Sequence, residues 1–199
     1  MAFRDFSFPQ VQQDLGLTLQ DAELFAATPP FPVREEFAAF IQYGVVLAVA
    51  NSTEKAKSEF IIAPILVELR RSLGDSFALF SGVEWDVDSE RGLNGYCDFI
   101  VAKGKSQYVL SAPFIAIAEA KNDIIRSGLG QCIAAMYAAQ LCNRQAKTPI
   151  LKVYGVVSTG SAWKFLQIEG DVVTLDKPEY YIDNLPKIMG ILRQIVQCA

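Results

Sequence analysis

In the run Phe114-Ile115-Ala116-Ile117-Ala118-Glu119-Ala120-Lys121, large and small side chains alternate from Ile115 onward. In an extended chain Ile115, Ile117, Glu119 and Lys121 share one face, and Ala116, Ala118 and Ala120 share the other. An apolar face thus ends in a carboxylate and an ammonium. In the preceding run Tyr96-Cys97-Asp98-Phe99-Ile100, Asp98 falls on the face of Tyr96 and Ile100, a charge among core-type residues. If the two runs pair as neighbours, Asp98 approaches Glu119 and Lys121. Carboxylates a few ångströms apart repel, and a divalent cation that takes oxygen ligands relieves the repulsion. Taken singly, Glu119 and Lys121 would serve equally as a surface strand pair and Asp98 as a carboxylate near a turn. Their convergence is what points to chemistry.

Two helical positions join this group. At 100° per residue, Glu59 lies on the stripe of Ala56, Ile62, Ala63 and Leu66, so it is expected to face inward. Gln131 shares a face with Ser127, Gly128, Ala134, Ala135 and Ala138, small residues that allow close approach to a sheet, and is expected to point at it. The chain has no histidine, which removes imidazole bases, Ser/His and Cys/His nucleophilic sites and His-ligated zinc. Catalysis must use carboxylates, lysine and a hard metal. Cys97, Cys132, Cys142 and Cys198 show no zinc spacing, and on one helix Cys132 and Cys142 would lie about 15 Å apart. All four read as reduced thiols.

The elements that must position these residues follow from the hydrophobic periods. Residues 1–32 form an N-terminal extension, with a short helix over 14–25 and a stiff Pro29-Pro30-Phe31-Pro32 linker; residues 33–199 form a single domain. Helices are expected over 34–50 and from a start at Asn51 and Glu54 to about 73, kinked at Pro64. Period-two runs over 77–88, 95–102 and 108–120 give a three-strand meander, turning at 89–92 and 103–105. A helix over 123–145, a hairpin of 151–157 and 162–168, a short strand over 172–175 and a helix over 185–196 complete an α/β (α+β) order. That order makes a mixed central sheet flanked by helices. Asp86, Asp88 and Glu90 read as a solvated hairpin tip and Trp163 as core.

Asp98, then Glu119-x-Lys121 at the end of the next strand, with helical Glu59 upstream and helical Gln131 downstream, resembles the PD-(D/E)XK nuclease superfamily, the restriction-endonuclease-like fold. The resemblance covers about residues 52–170. Tyr154-Gly155-Val156-Val157-Ser158-Thr159-Gly160, followed by Trp163 and Phe165, is similar to the hairpin after the core helix in type I restriction-subunit nuclease domains. The family's proline before the aspartate is replaced by Cys97.

The resemblance implies a metal-dependent deoxyribonuclease. Asp98, Glu119 and the carbonyl of Ala120 would hold Mg²⁺ or Mn²⁺, with Glu59 reaching it directly or through water. Lys121 would orient the attacking water, and Gln131 would position water or a phosphate. Lys103, Lys105 and Arg126 lie near enough in sequence to contact phosphate, whereas Arg144 and Lys147 are scattered. The net charge of −4 supplies no global attraction to nucleic acid, so DNA, the implied partner, must be held by a local patch. The alternative is a catalytically inactive nuclease-like domain that binds protein or nucleic acid. With 51% hydrophobic residues but no apolar run near bilayer length and no signal-peptide pattern, a cytoplasmic, non-membrane protein is expected. The apolar helices over 123–145 and 185–196 make room for a homodimer.

Overall fold

The computed structural model describes residues 1–103 and 106–198, apart from the side chain of Cys198. The chain runs through α1 (Val11–Leu15), β1 (Thr18–Ala22), α2 (Glu35–Asn51), α3 (Glu54–Lys57), a π turn (Ser58–Ile62) and α4 (Ala63–Ser72). It continues with β2 (Phe77–Asp88), β3 (Leu93–Lys103), β4 (Phe114–Ala120), α5 (Ile125–Gln145), β5 (Lys152–Ser158), β6 (Ala162–Glu169), β7 (Val172–Asp176), β8 (Tyr180–Tyr181) and α6 (Leu185–Cys198). The strands form one mixed sheet of order β1-β7-β6-β5-β4-β3-β2, with β8 beside β6. The β1–β7 and β4–β5 pairs are parallel and the rest antiparallel. This is the mixed α/β architecture the periodicities predict.

Every residue of β4 is buried, as a strand covered on both faces requires. Ile117 joins an apolar cluster with α5, while Ala116, Ala118 and Ala120 join the cluster formed with α2, α4 and α6. The small face of α5 serves the close approach expected of it, with Gly128, Ala134, Ala135 and Ala138 all buried. Among the described residues no helix is long and apolar enough to cross a membrane.

Three expectations change. Residues 1–32 are integrated with the rest: Phe3, Phe6, Val11 and Leu15 enter the α5-side core, and β1 pairs with β7 from Thr18↔Val172 to Ala22↔Asp176. The helix expected over 14–25 is instead one turn ended by left-handed Gly16 (φ 66°), followed by that edge strand, so tertiary pairing overrides local pattern. Asn51 does not begin the second helix. It ends α2, its side-chain amide donating to Leu47 O at 2.9 Å, and Thr53 caps α3 by accepting from the Ala56 N–H at 3.1 Å.

The Pro64 irregularity is a π turn just upstream. Pro64 has no N–H to return to the Phe60 carbonyl, the Ala63 N–H donates to Ser58 O, and Gly44 of α2 packs where a Cβ would strike that Phe60 carbonyl. Lys103 ends β3; Gly104 and Lys105 of the expected turn lie outside the described residues.

Candidate functional site

Asp98 sits where the sheet opens. Pairing between β3 and β4 reaches Phe99↔Ala118, while β4 stays paired with β5 through Ala120↔Ser158. Across from Asp98 on the other side, Gly82 adopts φ 62° between the pairs Ser81↔Phe99 and Val83↔Cys97. Asp98 therefore turns its side chain into the gap, and its Oδ2 accepts from the Ala120 N–H at 2.8 Å, replacing a ladder bond. On the β5 side the next amide, that of Lys121, donates to Ser158 O at 2.8 Å. The end of β4 is thus fixed from both neighbours.

Glu119 is 3% exposed and faces α5. Its Oε1 accepts from Lys121 Nζ at 2.8 Å, and the same ammonium lies 3.8 Å from Glu54 Oε1. Burial first, then the charges of Asp98 and Glu54, push the Glu119 carboxyl up to about 8 against the opposing pull of Lys121. Burial works against the charged form of Lys121, but Glu119, Glu54 and Asp98 together outweigh it and raise that group. Lys121 is held in place by α5: a Cβ on Gly128 would lie 2.8 Å from both Lys121 Cγ and Val157 Cγ1. Lys57 of α3 reaches the Asn122 carbonyl, Asn122 Oδ1 at 3.0 Å and Asp123 Oδ1 at 3.6 Å, tying down the turn after β4. Burial, and then the Glu119 charge, also raise the thiols of Cys97 and Cys132 beneath the site.

Asp98, Glu119, Lys121 and the Ala120 backbone thus meet as their spacing predicts. Glu59 does not take the inward position. Its side chain is 53% exposed and pairs with Lys55 at 3.0 Å. The π turn explains this: its extra residue rotates the downstream face, so the buried positions become Ala56, Ile61, Ile62, Ile65 and Leu66. Glu59 remains on the rim of a cavity of about 280 Å³ shared with Glu54, Ser58, Ser81, Asp98 and Ala120. Gln131 does not reach Glu119 or Lys121 by a hydrogen bond among the described residues; it lines a neighbouring cavity with Arg4, Glu84 and Tyr96. Among the described residues no three acids stand close enough together to hold an ion unaided.

The helical acid that touches the site is Glu54. Its signal was present in the sequence as the residue after a Thr N-cap, but the capping role assigned to Asn51 and Glu54 concealed it. With Thr53 as the cap, Glu54 is free to reach Lys121. The other candidates scatter: Arg126 covers the Phe8 ring at 5.0 Å, Arg144 bonds Gln140 within α5, and Lys105 lies outside the described residues. Trp163 is fully buried, its indole N–H donating to Gly160 O at 3.0 Å. Asp86 accepts from Ser89, and Asp88 caps the hairpin through the Arg91 N–H. Cys97, Cys132 and Cys142 are free thiols.

No family model matches the chain, and neither a curated protein nor a solved structure matches it.

Proposed function

We propose that this protein is a Mg²⁺- or Mn²⁺-dependent phosphodiester hydrolase of the PD-(D/E)XK type, acting on DNA. The observation that carries the reading is a buried carboxylate, Glu119, beside an ammonium, Lys121, at the point where strands part around Asp98. The donor set fits a hard cation. Three acids surround one lysine, and among the described residues Glu119 Oε2 and Asp98 Oδ1 take no hydrogen bond. Asp98, Glu119 and the Ala120 carbonyl would hold the ion, with Glu54 or Glu59 contributing from the cavity rim. When bound, it would acidify water and offset charge on the phosphate. Lys121, charged between carboxylates, orients the attacking water and stabilises the developing phosphorane charge; it does not serve as a neutral base. Asp98 also fixes the Ala120 peptide, and with it the direction of the flanking side chains.

A second reading, a nuclease-like domain that binds without cutting, is favoured by one observation: Glu59 pairs with Lys55 instead of turning inward. Calorimetric titration with Mn²⁺ separates the two. One saturable site lost in Asp98→Asn supports the hydrolase, and no heat beyond dilution supports the binding module.

A further inference from the structure

We propose that the outer face of α2 is the twofold contact of a homodimer in which two copies of this helix pack antiparallel. From Phe37 to Asn51 the helix carries no charged residue. Its inner side buries Phe37, Ile41, Gly44 and Ala48, yet on the outer side Phe40, Tyr43, Val46 and Val49 are 56–64% exposed. A helix apolar all round belongs in an interior, whereas a surface helix carries charge outward, as α4 does with Arg71.

The face itself selects a second copy. Its row steps by three residues, so an antiparallel pair centred between Gly44 and Val45 sets Tyr43 against the partner's Val46 and Phe40 against the partner's Val49. Each large ring then meets a small branched side chain. Antiparallel packing opposes the two helix dipoles, where parallel packing would set like against like. A partner of either net charge finds no counter-charge between residues 37 and 51.

The four side chains expose roughly 400 Å² per copy, taking aromatics at about 150–250 Å² and valines somewhat less. With Ala39, Leu47 and Ala50 between them, the contact approaches the roughly 1,000–1,200 Å² in total that a specific interface needs. The two helices expected to make room for a dimer, α5 and α6, both give apolar side chains to the core, Ile133 and Met136 from one and Ile188 and Ile191 from the other.

Sedimentation equilibrium from about 1 to 100 µM tests this. The wild type is expected to be a dimer across much of that range. Val46→Glu should raise the dissociation constant at least about 100-fold with unchanged circular dichroism, because the site is exposed in the monomer. A wild type still monomeric at 100 µM would overturn the proposal and assign the face to a different chain. An undiminished dimer in Val46→Glu would overturn it as well.

Discussion

Replacing Glu119 by Gln is expected to stabilise the metal-free protein at neutral pH, although it removes one partner of a 2.8 Å ion pair. The Glu119 carboxyl rises from 4.5 in an ordinary setting to about 8 in the fold. Between those values the native state binds the proton and the unfolded chain does not, so the contribution of this group to stability falls as pH rises. It is fully present below about pH 4.5, is lost as pH climbs through 8, and is level above that. At about 1.4 kcal/mol for each tenfold in proton affinity, the loss by pH 7 is about 3 kcal/mol. Gln keeps the shape and a carbonyl for the Lys121 ammonium but presents an NH₂ where the protonated carboxyl has its O–H, which costs back about 1–2 kcal/mol. The net expectation is stabilisation of about 1–2 kcal/mol at pH 7, a rise in melting temperature of roughly 3–6 °C, and a destabilisation of up to about 1 kcal/mol at pH 5, where the loss is only about 0.7 kcal/mol. Urea unfolding of both proteins in EDTA at pH 5, 6, 7 and 8 measures it, and subtracting the two curves removes every other titrating group. A difference independent of pH, or a destabilisation that grows with pH, would refute the argument.

Asp98→Ala leaves the buried Ala120 N–H without its acceptor and should cost about 1–3 kcal/mol in chemical denaturation, with Asp98→Asn costing less because its carbonyl still accepts. Gly128→Ala introduces a Cβ against Lys121 and Val157, so a loss of about 1–3 kcal/mol is expected, together with a disturbed Lys121 position visible as a weaker response to Mn²⁺. Cys97 and Cys132 are fully enclosed and their thiols are raised, so native protein should leave both unlabelled by a maleimide at pH 7.5. After denaturation without reductant all four cysteines should label, and a mass short of four adducts would reveal a disulfide.

The strands carrying Asp98, Glu119 and Lys121 were legible because the alternation from Ala116 to Ala120 matches the two buried faces of β4, although Ile115 joins the cluster of Ala116 and Ala118 and not that of Ile117, beyond the register shift at Val101. Their convergence followed from ordinary hairpin pairing of β3 and β4. What sequence pattern could not carry was the phase of the helix before them. A single residue inserted as a π turn, forced by the missing N–H of Pro64, rotates Glu59 to solvent while Glu54, upstream of it, stays against Lys121. The N-terminal strand was hidden for a different reason. Thr18-Leu19-Gln20-Asp21-Ala22 is polar and half-exposed, and it becomes a strand only because β7 offers an open parallel edge. Gln131 sits on the expected helix, but its face turns toward the β2–β3 hairpin, a consequence of how α5 is seated over Gly155 and Lys121.

The central claim, a hydrolase built on Asp98, Glu119 and Lys121, is tested most directly by single-turnover cleavage of a supercoiled plasmid and a labelled linear duplex. Wild type, Glu119→Gln and Lys121→Ala are purified identically and assayed in Mg²⁺, Mn²⁺ and EDTA. Nicking or cutting by the wild type in either metal, none in EDTA, and a rate at least about 100-fold lower in each variant are predicted, since both residues act on transition-state charge. Cleavage by Glu119→Gln at the wild-type rate would contradict the account, as would a wild type that leaves both substrates intact in both metals.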